Sequence, residues 1–499
     1  MRLLLLAACL CSAQAPLADD IVDAVVSRAA SLRDVPRIGL NLGIWTSWGA
    51  EQLSANVLMN PGFEGVIDRA IVTVRDPQGD SFSDDTDWLA RTPGFWNQAA
   101  FHVLTGRETG KQGVILRSHR TSFQIDNPLP ALAAGDIVAV TKTDDRQLPT
   151  QWWHEGQGHT VDAPRPASPG RRSLRLPPTA ATASYLDAIG DRAVRLLPLN
   201  GEWTLSLWAR AATPSAKLRV QIDRSGTPAF LNVLVPLATE WREYRWTIRP
   251  ADTGAPATLA VRFTNESDGV DIWLDDASLR PRTANPTAFR DEVVQTLHTL
   301  RPGYLRDWQG QLGDTLANRL APARRATRYR PGGTEATDFA YALPDFLALS
   351  HEVGANPWVV LPTTFTPAEW AEAGALLRAK ADEYGFREVV VEFGNENWNE
   401  LFRPAGILSA ATLTEAAGRA FTKRVVLQPV TTRNTLGANT PVHHPRLRSL
   451  LGLRSRSPPR LLSRRSQPPP PDSIQPSRNC HLRNERPLAQ RFRTGRNRQ

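Results

Sequence analysis

The sequence has few of the residues that would cross-link a fold or hold a metal. It contains three cysteines in 499 residues, and because Cys9 and Cys11 lie in the first 15, the rest of the chain keeps only Cys480 and predicts no internal disulfide. There is no spaced His/Cys set of the kind that binds zinc. There is also no glycine-rich phosphate loop, so we expect no nucleotide cofactor.

Long apolar runs are also lacking. The amino terminus, MRLLLLAACLCSAQA, combines one basic residue, a short apolar run and small residues, which is the layout of a secretory signal peptide over residues 1–18. The run is too short to span a membrane. We therefore expect no transmembrane segment, and a protein that is secreted, periplasmic or on the cell surface of a bacterium.

Acidic residues are scarce in one part of the chain only. Residues 424–499 hold sixteen Arg, no Lys and two acids, Asp472 and Glu485, so this segment carries a formal charge of 16 − 2 = +14. The whole chain has a formal net charge of +9, and residues 1–423 therefore carry 9 − 14 = −5. The charge density and proline runs of 424–499 predict a disordered tail. Two interpretations stay open: an arm that binds nucleic acid or anionic surfaces, or a slip of the coding frame near Lys423. We favour the slip, and expect no nucleic-acid partner.

Tryptophan, by contrast, is abundant, with 15 residues against two methionines. Flat amphipathic rings suit a sugar-binding surface, although any single tryptophan is more often a core residue. From about residue 56 to 280 the chain consists of short alternating segments such as EWTLSLWARA, separated by Gly, Pro, Asp and Asn. This spacing predicts an antiparallel β-sandwich.

Two motifs in this stretch resemble known proteins. NPGFEG at 60–65 and DIWLDDASL at 271–279 are similar to the opening and closing strands of jelly-roll carbohydrate-binding modules. The resemblance implies a jelly roll, with the segment around 101–153 as an elaboration of it. It also suggests two sets of site residues. The sugar-stacking candidates are Trp96, Trp152 and Trp153. A structural calcium ion would be held by Glu64 with Asp275 or Asp276, the alternative being ordinary solvated carboxylates.

After residue 281 the pattern changes to alternating helix and strand. Strands are predicted near 37–43, 304–308, 357–362 and 389–393, and Thr366-Pro367-Ala368-Glu369 predicts a capping box that starts a helix. Strand, helix, strand with parallel connections is typical of the first half of a (β/α)₈ barrel. The sequence thus predicts a multidomain chain. Its parts are a first barrel strand within 30–55, an inserted jelly-roll β-sandwich at 56–280, an incomplete parallel (β/α)₈ barrel at 281–423 and the disordered basic tail.

The stretch VVVEFGNENWNE at 389–400 carries the candidate catalytic site. Barrel enzymes place their chemistry at the carboxyl ends of strands, and Gly394-Asn395-Glu396 resembles the Asn-Glu signature of clan A glycoside hydrolases, the arabinofuranosidase-like branch in particular. The resemblance implies that Glu396 is the general acid/base and that Asn395 binds a sugar 2-hydroxyl. The candidate substrate contacts are Trp398, Trp45, Asn41 and Arg306. For Arg306 an ion pair with Asp307 or Asp314 is an open alternative.

A retaining mechanism needs a second carboxylate about 5 to 5.5 Å from the first. In that clan the nucleophile is a glutamate at the end of strand seven, and the only glutamates after Glu396, which are Glu400, Glu415 and Glu485, do not match it. The sequence therefore predicts a secreted hydrolase of polysaccharide or oligosaccharide, truncated and inactive as given, with no cofactor for catalysis. The alternative is a non-catalytic carbohydrate-binding protein.

Overall fold

The computed structural model describes residues 38–43, 53–85, 91–144, 148–149, 151–178, 180–186, 198–214, 216–252, 258–308, 315–321, 326–328, 337–338, 340–362, 364–393 and 425–428. Their strands, in chain order, are β1 (Gly39–Gly43), β2 (Val66–Arg75), β3 (Ser81–Asp84), β4 (Ala100–Val103), β5 (Gln112–His119), β6 (Ser122–Ile125), β7 (Ile137–Asp144), β8 (Trp153–Glu155), β9 (Thr160–Asp162), β10 (Ser173–Leu176), β11 (Thr182–Leu186), β12 (Trp203–Ala211), β13 (Lys217–Arg224), β14 (Leu231–Pro236), β15 (Arg242–Ile248), β16 (Leu259–Asn265), β17 (Ile272–Pro281), β18 (Tyr304–Trp308), β19 (Ala326–Arg328), β20 (Thr337–Asp338), β21 (Asn356–Leu361), β22 (Val389–Phe393) and β23 (Val425–Gln428). The helices are α1 (Asp291–Leu300), α2 (Leu316–Leu320), α3 (Leu343–Glu352) and α4 (Pro367–Tyr384). None of these helices is long and apolar enough to cross a membrane.

A small closed barrel occupies the first part of the predicted jelly roll. Its antiparallel strands run in the order β2-β3-β6-β5-β4-β7, and β7 pairs back with β2 from Val66↔Asp144 to Thr73↔Ile137. Its core is aromatic and β-branched, and includes Trp96, Phe101 and Phe123. The prediction of one jelly roll over 56–280 is therefore corrected. Alternation shows which side chains point inward, but it does not show that a distant strand closes the sheet.

The predicted β-sandwich is present over the second part of that stretch. Its two antiparallel sheets have the orders β15-β12-β17-β10-β9 and β14-β13-β16-β11-β8. Alternate residues of β12, from Trp203 to Ala211, are buried between the sheets as period-two burial requires. The NPGFEG segment lies along this sandwich, where Ala277 N–H donates to the Pro61 carbonyl at 2.8 Å.

A five-stranded parallel sheet, in the order β1-β18-β21-β22-β23, forms the α/β part. Four of its strands match the predicted ones, and the capping box of α4 is confirmed, because the Thr366 hydroxyl accepts from Glu369 N–H while the Glu369 carboxylate accepts from Thr366 N–H. The helices bury their apolar residues against one face of the sheet. These strands form an open sheet, and closure into an eight-stranded barrel is not shown.

The fifth strand corrects the prediction for the tail. β23 lies within 424–499 and pairs in parallel with β22, from Val389↔Val425 to Glu392↔Gln428. Its sequence, VVLQ, is a short apolar run of the kind that suits a covered strand. The arginine-rich composition of the surrounding residues masked this signal. The rest of 424–499 lies outside the described residues.

The small barrel is joined to the α/β part by strand pairing and by a buried charge. β19 pairs in parallel with β2, and the Arg69 guanidinium of β2 donates to the Thr364 carbonyl at 2.7 Å and lies 3.4 Å from the Glu369 carboxylate. Burial by itself raises the pKa of Glu369, but the Arg69 charge and backbone N–H donors outweigh it, so that this pKa lies below its usual value. The carboxylate therefore stays ionised at the junction.

Candidate functional site

Charged and aromatic side chains gather on the sheet face opposite the helices. Along β18 the side chains of Leu305 and Asp307 are buried toward the helices, whereas Arg306 between them is half-buried on the other face. The parallel register places Asn41 of β1 beside Arg306, and Arg306 beside Trp358 of β21. Because all strands run in the same direction, these residues lie across the sheet at one level.

Arg306 is held by a carboxylate that the sequence analysis did not single out. It donates from Nε and one terminal nitrogen to the two oxygens of Glu392 on β22, at 2.8 and 2.9 Å. Trp358 Nε1 donates to the same carboxylate at 2.7 Å, and the other terminal nitrogen of Arg306 lies 3.4 Å from Asn41 Oδ1. The alternative that Arg306 pairs with Asp307 is wrong, because Asp307 pairs with Arg319, and Asp314 lies outside the described residues. The sequence did contain a signal for this ion pair, which is the glutamate inside the apolar run VVVEF. A charged side chain in a buried strand requires a partner.

Asp307 belongs to a separate buried cluster under the helices. It accepts from Arg319 at 2.5 Å and from the Tyr341 hydroxyl at 3.4 Å, and Tyr341 also contacts the Leu42 carbonyl at 3.0 Å. Complete burial raises the pKa of Asp307, although Arg319 opposes the shift. This buried cluster ties β1 and β18 to α2 and to Tyr341, which lies just before α3.

The carboxyl edge of the sheet leads into the predicted catalytic residues. β22 ends at Phe393 and is an internal strand, with parallel β21 on one side and parallel β23 on the other. Three predicted residues follow directly, Asn395, Glu396 and Trp398, and these, like Trp45, lie outside the described residues. Their chain positions follow the carboxyl ends of β22 and of β1, which share one edge of the sheet.

A cavity of about 390 Å³ lies at the opposite, amino-terminal edge. Its lining includes Asn356 at the start of β21 and the stacked rings of His351 and Tyr384, whose centroids are 4.7 Å apart. In barrel folds this edge serves stability while chemistry takes place at the other edge. We assign this cavity no part in the candidate catalytic site.

Two of the three predicted sugar-stacking tryptophans are core residues. Trp96 is 1% exposed in the small barrel, and Trp152 is 3% exposed in the sandwich, where its ring lies 4.7 Å from Phe63 and 5.8 Å from Phe263. Neither ring is available to a ligand, which corrects the prediction for both. Trp153, the next residue, is 65% exposed because successive side chains of a strand point to opposite faces.

The predicted calcium ligands accept hydrogen bonds from nearby backbone and side-chain donors. Asp275 accepts from Arg165 N–H and Asp276 N–H, while the Asp276 carboxylate accepts from the Arg165 guanidinium at 2.6 Å. Glu64 accepts from Arg171 N–H. Burial and then the charge of Asp276 raise the pKa of Asp275 to about 7. Within the described ranges no group of three His, Cys, Asp or Glu side chains is placed to hold a metal ion, and the structural calcium site stays a prediction.

Comparisons with known proteins give partial likenesses of fold. No protein-family model matches the chain, and no curated protein matches it. An arabinose-bound GH51 α-L-arabinofuranosidase is similar over 56% of this chain and 52% of its own, about half its length, at 14% identity and a TM-score of 0.39. The module TmCBM61 in complex with β-1,4-galactotriose is similar over 27% of this chain and 90% of its own, at 14% identity and a TM-score of 0.22. The N-terminal cellulose-binding domain of a Cellulomonas fimi β-1,4-glucanase is similar over 28% and 92%, at 17% identity and a TM-score of 0.20. These likenesses are partial and concern the fold alone.

Proposed function

We propose that this chain is a carbohydrate-active protein of the glycoside hydrolase type, with Glu396 as its general acid/base. The observation that supports this most is the position of β22 as an internal strand of an all-parallel sheet. The Asn-Glu pair follows its carboxyl end, the edge at which barrel enzymes carry out their chemistry. A (β/α)₈ barrel with an accompanying sandwich is part of the same proposal.

In this proposal each residue has a defined chemical role. Glu396 protonates the leaving oxygen and afterwards removes a proton from water, while Asn395 binds the sugar 2-hydroxyl. Trp398 and Trp45 form an apolar wall for the sugar ring. The ligand is a polysaccharide or oligosaccharide at a site outside the cytoplasm, and no cofactor is needed.

Glu392 is not the missing nucleophile. A nucleophilic carboxylate needs an oxygen free to attack the anomeric carbon, yet both oxygens of Glu392 accept from Arg306 and one also accepts from Trp358. The pair of Glu392 with Arg306 is better suited to hold β18, β21 and β22 in register beneath the site. Arg306 then acts as a positioning residue.

Because the chain as given offers no nucleophile, the role of Glu396 is tested in a chain whose reading frame is restored by one base near Lys423, by the dependence of hydrolysis on the leaving group. Glu396→Ala is expected to lower hydrolysis of natural arabinosides by roughly 10² to 10⁴-fold, the usual contribution of a general acid. The hydrolysis rate of aryl glycosides with good leaving groups should fall much less, because these leaving groups need no protonation. Added azide should restore turnover, with a glycosyl azide as the product. Glu383→Gln, on the exposed face of α4, is the matched control. Unchanged hydrolysis of the natural arabinosides by Glu396→Ala would refute the assignment.

A second candidate function is carbohydrate binding by the sandwich without hydrolysis. The observation that favours it is Trp153, whose ring is 65% exposed on the edge strand β8. Retention on a polysaccharide gel that survives Glu396→Gln but is lost in Trp153→Ala, with no product released, would support binding alone. Leu234→Ala, another exposed apolar residue of the sandwich, controls for non-specific surface effects.

A further inference from the structure

A clamped arginine lies on the outward face of the sandwich sheet β15-β12-β17-β10-β9. The Arg210 guanidinium carbon is 3.9 Å from the ring centroid of Trp273 and 5.5 Å from that of Trp241. Arg210 of β12 pairs directly with Trp273 of β17, and Trp241 immediately precedes β15 on the other side. We call these three half-buried residues the arginine clamp.

The charge of Arg210 has no acidic partner among the residues that the structure describes. Its Nε is enclosed and makes no hydrogen bond, and the half-buried side chain leaves the terminal nitrogens as the part that solvent reaches. Other arginines of the same sheet are paired, Arg175 with Asp271 and Arg245 with Glu243. A partly desolvated cation without a counter-charge is costly, so the clamp is suited to receive an anion.

The surroundings of the clamp keep it rigid and extend it across the sheet. Trp273 Nε1 donates to Asp162 Oδ2 at 3.1 Å, which fixes the plane of that ring. Arg175 of β10 lies on the other side of Trp273 by the strand register. The row from Trp241 to Arg175 therefore crosses four strands at a spacing of roughly 4.8 Å. Such a row is long enough for several units of a linear ligand.

We propose that the arginine clamp binds the carboxylate of a uronic-acid residue in an acidic polysaccharide. The planar guanidinium matches a carboxylate with two parallel N–H···O bonds, and clamping by the two rings means that little side-chain freedom is lost on binding. The tryptophan edges on either side offer apolar surface to the sugar ring. A neutral sugar would cover the guanidinium without supplying the charge that compensates it.

This inference rests on the proposed function only for the class of ligand. The clamp is on the sandwich, whereas Glu396 follows β22 of the parallel sheet, so the two sites are tested separately. Binding is measured on the full chain carrying Glu396→Gln, which removes hydrolysis from the readout. A protein without hydrolytic activity therefore leaves the proposal for the arginine clamp intact. A clamp that does not bind the ligand likewise leaves the proposed role of Glu396 intact.

The test compares oligogalacturonate, its methyl ester and a sulfated galactan by calorimetry at fixed salt. Arg210→Gln is expected to weaken oligogalacturonate binding at least tenfold and to leave the weaker binding of the ester unchanged. Arg245→Gln, which removes a paired arginine of the same sheet, should change neither. The basic tail is present in all variants, so its attraction for polyanions cancels from the comparison.

Tryptophan emission supplies a readout that does not depend on a variant. Residues 424–499 contain no tryptophan, so a change in emission on adding oligogalacturonate reports on the body of the protein. We expect that change with the acid and not with the ester. Equal responses to acid and ester, or an Arg210→Gln variant with native near-ultraviolet circular dichroism and undiminished affinity, would overturn the proposal. If Arg210→Gln weakened binding of the sulfated galactan as much as binding of oligogalacturonate, the clamp would be a general polyanion site, and this result would overturn the proposal as well.

Discussion

Replacing Glu392 by Gln should destabilise the parallel sheet while keeping the shape of the side chain. The carboxylate accepts two bonds from Arg306 and one from Trp358, and its side chain is 9% exposed while that of Arg306 is 17% exposed. In Glu392→Gln, the side-chain NH₂ takes the place of one carboxylate oxygen and faces the nitrogen donors of Arg306 or Trp358. At least one donor therefore loses its acceptor, and the Arg306 charge loses its partner.

The magnitude follows from these contacts. Hydrogen bonds to charged groups contribute about 1.5–3 kcal/mol each. Breaking a fully buried ion pair costs about 3–5 kcal/mol, but the exposed fraction of Arg306 lets water solvate part of the orphaned charge, which reduces that cost. We therefore expect Glu392→Gln to lower the local stability of the sheet by about 2–3 kcal/mol. Removing both charges, in Arg306→Met with Glu392→Leu, should cost less than the sum of the two single changes.

The assay is native-state hydrogen exchange of peptides that cover β18, β21 and β22, because a multidomain chain does not unfold in one step. Exchange in these peptides should become faster, while exchange in the small barrel is unchanged. Glu383→Gln breaks an exposed pair with Lys380 and should cost less than about 1 kcal/mol. If Glu392→Gln affects exchange as little as this control, the ion pair does not hold the strands together and our reasoning is refuted.

Two further predictions concern the β domains. Trp96→Ala should destabilise the small barrel by about 3–5 kcal/mol, measured by native-state hydrogen exchange of peptides from that barrel, and leave glycan affinity unchanged, because the ring is a core residue. The raised pKa of Asp275, about 7, means that the folded state favours its protonated form, so its stabilising contribution is complete below the unfolded value of 3.8 and is lost as the pH rises through 7. Melting temperatures should therefore fall less between pH 4 and pH 8 in Asp275→Asn than in the parent protein; parallel curves would contradict this.

The elements that the sequence predicts well are those whose signals are local. The capping box at Thr366 to Glu369 needs only two side chains and two N–H groups within one turn, and it is present as expected. The Val389 to Val391 run predicts a covered strand, and that strand has parallel neighbours on both sides. Short alternating segments likewise predicted the sandwich.

The errors share one cause, which is that each depended on a distant partner. Trp96 and Trp152 were assigned to a sugar surface, but which face of a strand is covered depends on where the rest of the chain packs. The small barrel closes only because β7 returns to β2 across a separation that no local pattern encodes. β23 was missed because composition averaged over an arginine-rich stretch outweighed four residues of strand pattern.

The sequence alone determined the capped helix α4, the covered strand β22, the change from sandwich to parallel α/β units, and the position of the Asn-Glu pair after that strand. These depend on periodicity and on side chains a few positions apart. Only the tertiary structure decided that Glu392 meets Arg306, that Arg210 lies between Trp241 and Trp273, and that a separate barrel closes on itself. Such contacts join residues remote in sequence, and they arise from how whole sheets register and pack.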